Sequence, residues 1–194
     1  IDALTTEPGV TLHALADLFP DRLNSSRDAL ARHETFGPRA TVPAERCFTG
    51  FDAYQKLLAI PEIDVVVLAT PPHFRPAHFE AAVNAGKHVF MEKPVAVDPA
   101  GVRRVLAAAA SARGRGLCVV AGTQRRHEAK YLELMQRVRD GAIGKIVAAN
   151  CWWNQGGLWD HARKPEYSDV EWQLRNWLYF AWTSGDHIVE QHVH

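Results

Sequence analysis

The stretch Ile63–Pro94, which reads IDVVVLATPPHFRPAHFEAAVNAGKHVFMEKP, decides the fold of this chain. Its first residues are a β-branched run with almost no alternation of apolar and polar side chains, which is typical of a strand covered on both faces. A turn with two prolines follows, and Pro76 and Gly86 suit the first position and the end of a helix. The apolar run HVFM then predicts a second strand. Strand, helix and strand in this order predict a parallel βαβ unit.

The same alternation of strands and helices continues on both sides of this unit. Upstream, a mostly apolar run ends at Asp17, and a polar-faced helix follows it. Downstream, Asp98 and Pro99 suit the cap and the first turn of a helix, and LCVVAG at 117–122 predicts a further strand. We therefore predict an α/β fold of repeated βαβ units, in which ligands bind beyond the carboxyl ends of the strands.

A change in composition near Gly122 predicts a second domain. A helix is expected over 128–140, where Gly141 ends it, and KIVAANCWWNQGGLW then reads as a strand followed by an aromatic segment. All six tryptophans lie in this later part of the chain. We predict one domain over 1–122, incomplete at its start, and the incomplete beginning of another over 123–194.

Composition and charge exclude several classes of partner. Lys plus Arg and Asp plus Glu both number 22, so no basic excess indicates nucleic acid or an anionic membrane as a partner. No run reaches the about 18 apolar residues of a membrane span, and three widely spaced cysteines indicate neither a disulfide framework nor a zinc site. The sequence starts at Ile1 rather than Met, so we expect a piece of a longer protein. We predict a cytoplasmic protein by default and leave export open.

A dinucleotide-binding unit needs two features, and the chain shows one of them. No GxGxxG turn occurs, so this fingerprint is expected upstream of Ile1. Asp17 stands where an acid at a strand end binds the ribose hydroxyls. An acid in this position is also common as a turn former or a helix cap. A carboxylate favours NAD over NADP, and the nearby Arg22 keeps NADP open.

One long segment resembles a known family. LATPPHFRPAHFEAAVNAGKHVFMEKPVAV, at 68–97, is similar to the corresponding stretch of the Gfo/Idh/MocA family of NAD(P)-dependent oxidoreductases, and its EKP step is the most specific mark. The resemblance continues through GTQRRHEAKYLELMQRVRDGAIGKI into SGDHIVEQHVH. It implies a Rossmann-like parallel sheet, followed by the beginning of an α/β domain with a mostly antiparallel sheet. It also implies that the full-length protein is a homo-oligomer.

The resemblance assigns roles to residues at two strand ends. Lys93 of the EKP step would lie at the active site near the nicotinamide, and Glu92 would orient it or the cofactor ribose. The TPP turn would line the cofactor with Thr70, Pro71 and Pro72. A lysine at the mouth of a strand can hydrogen-bond a hydroxyl or carbonyl as hydride moves. The alternative is a solvated turn ended by Pro94, whose preceding peptide bond we expect to be cis.

The end of the chain carries a second set of implied residues. Family members have an aspartate and histidine pair there, and the matching positions are Glu190 and His194. Residues four apart share a helix face, so the two form a polar stripe with His187 and Gln191. His194 would exchange the proton of the substrate hydroxyl, and Glu190 would set its tautomer or bind substrate. The alternatives are a solvated helix face and a metal site on His187, His192 and His194, and we predict no metal.

Polar planar groups beside indoles predict a hydroxylated ring as the substrate. The candidates for the substrate pocket are Arg125, Arg126, Asn154, Gln155, Trp159, Arg175 and Asn176. Of these, we predict Arg125, Asn154, Trp159 and Arg175 as substrate contacts. A subunit interface is the other interpretation of these aromatic residues. One departure from the family is Arg75, which stands after the TPP turn in place of a histidine found in many members.

Together these features predict an oxidoreductase. It would transfer hydride between NAD, or NADP, and a hydroxyl-bearing carbon of a sugar-like or polyol substrate. Two alternatives stay open, an NAD-dependent redox-assisted glycoside hydrolase and a cofactor-binding protein without activity. We expect the given chain alone to be inactive.

Overall fold

The computed structural model describes residues 1–192 and shows an α/β protein with two sheets. The strands are β1 (Leu15–Asp17), β2 (Cys47–Thr49), β3 (Val65–Leu68), β4 (His88–Glu92) and β5 (Val119–Gly122). β1 pairs with β2 in one sheet, and the other has the order β3–β4–β5. β1 and β2 are parallel, as are β4 and β5. These parallel pairs confirm the predicted Rossmann-like α/β class.

Helices connect and follow these strands. Their bounds are α1 (Asp2–Thr6), α2 (Pro20–Ala31), α3 (Ala53–Leu58), α4 (Arg75–Asn84), α5 (Pro99–Gly114), α6 (Ala129–Arg139), α7 (Asp169–Arg175), α8 (Ala181–Ser184) and α9 (His187–Gln191). Short 3₁₀ turns at Gly37–Ala40, Ala44–Arg46, Pro72–Phe74, Gln124–Arg126 and Trp177–Tyr179 join them. α4 is the crossover between β3 and β4, and α5 the crossover between β4 and β5. Over residues 1–192, no helix has both the length and the hydropathy that a membrane span needs.

The caps that the sequence predicts are present at α5 and after α4. The Asp98 carboxylate accepts a hydrogen bond of 2.6 Å from the backbone N–H of Gly101, and Pro99 begins α5. Gly86 has a φ of 75° in the turn after α4, which is the left-handed region that favours glycine. The predicted helix over 128–140 is confirmed as α6.

The described chain divides into two compact units. The first comprises 1–66 with 81–88, and its apolar cluster contains Leu4, Phe36 and Ala40. The second comprises 67–80 and the chain from Val89 onward, and its buried residues include Phe79, Val89, Met91, Val105 and Ala112. This division by contacts is not the boundary near residue 123 that the sequence predicts, which stays a prediction.

One face of β3 differs from the prediction. Val66 and Leu68 are buried, whereas Val65 and Val67 are 56% and 66% exposed. The predicted cover on both faces is therefore wrong for the described residues. An unbroken apolar run allows a strand to be covered twice, but it does not supply the element that covers the second face.

The predicted antiparallel sheet is also not found in the part of the chain that the structure describes. Residues 145–160, which contain the predicted strand, are irregular, and no strand is assigned between 123 and 192. A strand is stable only beside another strand that pairs its backbone N–H and C=O groups. Residues 123–192 provide no such neighbour, so the apolar pattern of KIVAANCWW does not become a strand.

Candidate functional site

Lys93 lies directly after β4 and forms a buried ion pair with Glu190. Its ammonium donates to the backbone carbonyl of Glu190 and lies 2.9 Å from the Oε1 of the same residue. The side chains of Lys93 and Glu190 are only 14% and 7% exposed. The Lys93–Pro94 peptide bond is cis, as predicted. Lys93 therefore does not form the solvated turn that the sequence left as an alternative.

Glu190 is held by the short helix α9. Asp186 caps this helix by accepting a 2.7 Å hydrogen bond from the backbone N–H of Val189. The side-chain amide of Gln191 donates to Oε2 of Glu190, so both carboxylate oxygens have donors. A buried carboxylate needs such partners, because an unpaired charge away from water is costly. His194, its predicted partner, lies outside the described residues.

Glu92 is the last residue of β4 and lies against β5. It stands opposite Gly122 in the parallel ladder, and a Cβ added at Gly122 would come within 2.8 Å of the Glu92 Oε2. A larger residue at position 122 would therefore displace the Glu92 carboxylate from its present position. The Glu92 carboxylate thus lies over Gly122, at the end of the neighbouring strand β5.

Arg75 joins the ends of β3 and β4. Its guanidinium donates to the carbonyl of Thr70 in the TPP turn, and at 2.6 Å to the carbonyl of Pro94 after the lysine. The residue is only 2% exposed. Burial lowers the pKa of Arg75 to about 10, while attraction to the carboxylates of Glu92 and Glu190 opposes this shift. The group still carries its positive charge at neutral pH.

A buried histidine supports the same turn. Nδ1 of His78 and the hydroxyl of Thr70 are 3.2 Å apart, and the imidazole stacks over Phe74 with its centroid at 6.0 Å. Burial, and then the charge of Arg75, lower the pKa of His78 to about 4. The imidazole is therefore neutral at physiological pH. We call Thr70, Arg75, His78, Glu92, Lys93 and Glu190 the strand-end cluster.

A cavity of about 200 Å³ adjoins this cluster on the side of Glu190. Its walls include Gln155, Tyr179, Asp186 and His187 besides Glu190. The Tyr179 hydroxyl accepts a 2.8 Å hydrogen bond from the backbone N–H of Leu158, which leaves its own proton available to a further acceptor. The cavity therefore offers amide, phenol, imidazole and carboxylate groups, a set that suits a small polyhydroxylated ligand.

Of the candidates for the substrate pocket, Gln155 lines this cavity, whereas Arg125, Asn154, Trp159 and Arg175 are not among its walls within residues 1–192. Arg125 lies over the ring of Trp153 at 4.5 Å, and Trp159 packs against Trp177 at 5.8 Å between ring centroids. Asn154 is exposed. The Arg175 guanidinium pairs with Glu171 at 3.0 Å and lies over Tyr167 at 4.8 Å. None of these described contacts involves a residue of the strand-end cluster.

Asp17 belongs to the first unit and ends β1. Its Oδ1 accepts a 2.8 Å hydrogen bond from the backbone N–H of Phe19, just before α2 begins at Pro20. This is the geometry of a turn former, the alternative that the sequence left open. One hydrogen bond leaves a carboxylate with further lone pairs, so the contact is compatible with binding a ribose.

The histidines near the end of the chain do not form a metal site among residues 1–192. No group of three or more His, Cys, Asp or Glu residues in this range could hold a metal ion. The rings of His187 and His192 are 5.1 Å apart, and His192 follows the last residue of α9.

Three site residues were missed by sequence reasoning. The sequence marks Arg75 only as a departure from the family and indicates no role for His78 or Tyr179. The sequence contains a signal for Arg75 and His78. Both follow the TPP turn closely, and a guanidinium or imidazole in such a position can reach a carbonyl or hydroxyl group of the turn. Tyr179 offered no such local signal, because its partner, Leu158, is 21 residues away.

Comparisons with known proteins identify the family and relatives of this chain. The family described as "Oxidoreductase family, NAD-binding Rossmann fold" matches residues 25–136. The curated protein inositol 2-dehydrogenase 1 from Saccharopolyspora erythraea is 33% identical over 132 residues, which is 68% of this chain and 38% of that protein. The chain thus spans well under half the length of this relative.

Two solved structures resemble the fold. KijD10, a 3-ketoreductase from Actinomadura kijaniata crystallised with TDP-benzene and NADP, has a TM-score of 0.57 and 26% identity over 74% of this chain and 40% of that one. The scyllo-inositol dehydrogenase from Lactobacillus casei with bound NAD(H) and scyllo-inositol has a TM-score of 0.56 and 24% identity. That match covers 74% of this chain and 37% of the other.

Proposed function

Because this chain belongs to the Gfo/Idh/MocA oxidoreductase family with its NAD-binding Rossmann fold, we propose that the full-length protein is an NAD(P)-dependent dehydrogenase. It transfers hydride between the cofactor and a hydroxyl-bearing carbon of a polyol or sugar-like substrate. The observation that carries this proposal is the buried Lys93–Glu190 ion pair beside a cavity at the end of a parallel strand.

Lys93 and Glu190 would act on the substrate. An ammonium has three N–H donors, and within residues 1–192 only Glu190 accepts from Lys93. The remaining donor suits the oxygen of the carbon that is oxidised or reduced. Glu190 fixes the ammonium and adjoins the cavity, and His194 is proposed to exchange the proton of the substrate hydroxyl.

The residues of the second unit fit the nicotinamide end of the cofactor. The Glu92 carboxylate occupies the space that a side chain at Gly122 would fill, and the buried Arg75 has an Nε without an acceptor among residues 1–192. Glu92 and the TPP residues Thr70, Pro71 and Pro72 would contact the cofactor. When bound, the cofactor supplies the hydride chemistry. In the first unit, the Asp17 carboxylate would bind the ribose hydroxyls, which favours NAD, with NADP as the other option.

The substrate class rests on the cavity and on the names of the relatives. Relatives of this chain are named inositol 2-dehydrogenases, and a structural neighbour was solved with scyllo-inositol. A volume of about 200 Å³ with mixed donors and acceptors suits a ligand of that size. Arg125, Asn154, Trp159 and Arg175 stay predicted substrate contacts. The domain boundary near 123, the homo-oligomer and a cytoplasmic location stay proposals too.

The test combines cofactor binding with turnover in the full-length protein. We expect NADH to bind and myo-inositol or a similar polyol to reduce NAD, followed by NADH absorbance. Lys93→Met should lower kcat about 1000-fold, because it removes the donor to the reacting oxygen. Lys145→Met is the control, since Lys145 is exposed, and should leave kcat unchanged.

Two results would contradict the proposal. If the wild-type protein binds neither NADH nor NADPH, the strand-end cluster is not a site of hydride transfer. A protein that binds NAD tightly and cleaves glycosides without net NADH production would instead be the redox-assisted hydrolase.

A further inference from the structure

We propose that Arg75 is a positioning residue for the hydride site. It holds the turn after β3 at a fixed distance from the loop after β4, and it supplies the second positive charge beside the two carboxylates that flank Lys93. The inference rests on the proposed function, because the turn and the loop are the segments that would face the nicotinamide.

The hydrogen bonds of Arg75 give the geometric part of this inference. The two carbonyls that it binds belong to Thr70 and Pro94, which follow different strands. A guanidinium is planar and presents its N–H donors in a rigid fork, so two acceptors held by it keep a fixed separation. Pro94 is the residue next to Lys93. The position of the lysine backbone is therefore tied to the TPP turn through one side chain.

The charges around Lys93 give the second part. Two carboxylates, Glu92 and Glu190, lie within electrostatic range of Arg75, and Glu190 also pairs with Lys93. Arg75 and Lys93 together match these two negative charges. The remaining titratable group of this cluster, His78, is neutral because of its burial and the nearby guanidinium. Without Arg75, the Lys93 ammonium would be the only cation of this cluster beside the carboxylates of Glu92 and the buried Glu190, and Glu190 alone would no longer fix its direction toward a ligand.

A second buried cation in the chain shows what a purely structural role looks like. Lys87, in the first unit, is 7% exposed and donates to the carbonyls of Ile60 and Pro61 at 2.9 and 3.2 Å. Those carbonyls are neighbours in one loop, and a lysine is enough to bind them. Arg75 instead binds two separate strand ends, and it retains an Nε without an acceptor in the described chain. A desolvated N–H of this kind costs stability, so folding alone does not explain the arginine.

The experiment compares Arg75→Lys, Arg75→Gln and the control Lys87→Gln in the full-length protein. Arg75→Lys keeps the positive charge but lacks the planar guanidinium with its paired N–H donors, and Arg75→Gln removes both the charge and the guanidinium. We expect kcat to fall about 10-fold in the first and about 100-fold in the second, since small displacements of reacting groups have effects of this size. The Kd for NADH should rise in both. Lys87→Gln should lower Tm and leave kcat and Kd unchanged.

The thermal unfolding curve separates positioning from folding. Rates are compared at a temperature where each variant is folded, so that a loss of kcat reflects the site. The inference is overturned if folded Arg75→Lys and Arg75→Gln retain wild-type kcat and Kd, or if neither variant folds while Lys87→Gln does. If the wild-type protein does not bind NADH, the proposed function itself is wrong. If the wild-type protein is active and both substitutions leave kcat and Kd unchanged, only the role proposed for Arg75 is wrong.

Discussion

The strand-end cluster and the segment 145–166 differ in how their side chains are held. In the cluster, Arg75 and Glu190 are buried, Lys93 is only 14% exposed, and hydrogen bonds join residues far apart in sequence. In the segment, every residue except Trp153 is exposed, and none lies in a helix or strand. The ends of parallel strands bring side chains together as a consequence of the fold, whereas an irregular exposed segment does not. Candidate catalytic residues are therefore best sought first at the ends of the parallel strands.

The first prediction concerns the removal of one charge from the Lys93–Glu190 ion pair. Lys93→Met leaves the Glu190 carboxylate buried without its ammonium, so we expect the free energy of unfolding to fall by about 3–5 kcal/mol. Adding Glu190→Gln to Lys93→Met should recover most of that loss, because the uncompensated charge is gone. Urea unfolding of the two single variants and the double variant measures both effects.

An exposed ion pair of the same chain is the matched control. Glu133 and Arg137 are one turn apart on α6, and their side chains are 65% and 70% exposed. The same set of substitutions there, Arg137→Met with Glu133→Gln, should change the free energy of unfolding by only about 0.3 kcal/mol. Equal coupling energies in the two ion pairs would contradict the view that burial strengthens the interaction between Lys93 and Glu190.

The difference between the regions also explains what the sequence could predict. The order of strands and helices around Val66 and Val89 follows from hydrophobic patterns and from local caps such as Asp98, which act over a few residues. Lys93 and Glu190 were predicted through motifs. Their mutual contact spans 97 positions, and no periodic pattern encodes it.

Two features could not be predicted for related reasons. The strand expected in KIVAANCWW depends on a pairing partner, which local sequence does not supply. The role of Arg75 depends on the carbonyl of Pro94, whose position is fixed only once β3 and β4 lie side by side. Both features are consequences of tertiary structure, and single-sequence patterns describe mainly local preferences.

A second prediction sharpens the comparison through pH. His78 has a pKa of about 4 in the folded protein and of 6.5 in an unconstrained chain. His78 therefore binds a proton more readily in the unfolded state, and the folded protein loses stability as the pH falls from 6.5 to 4. We expect this histidine to account for about 1–3 kcal/mol of that loss. His78→Gln should flatten the dependence, since an amide keeps a hydrogen bond to Thr70 and does not titrate.

Urea unfolding at pH 6.5 and pH 4.5 measures this effect as the difference between wild type and His78→Gln. His33 provides the control, because it belongs to the first unit and is exposed. His33→Gln should preserve the wild-type slope. A His78→Gln protein that loses as much stability as wild type would mean that the imidazole is already charged, or solvated, in the folded state.

The smallest expected effect tests whether the exposed segment contributes to the site at all. Gln155 lines the cavity beside Glu190, while Asn154, a predicted substrate contact, is exposed next to it. Losing one hydrogen bond to a polyol should raise KM about 10-fold in Gln155→Ala, and we expect a rise of at most about 3-fold in Asn154→Ala. The two substitutions are adjacent and similar in size, so each controls for the other. If both variants keep the wild-type KM, the segment does not contribute to the site, and a larger effect at Asn154 than at Gln155 would contradict the placement of Gln155 in the wall of the substrate cavity.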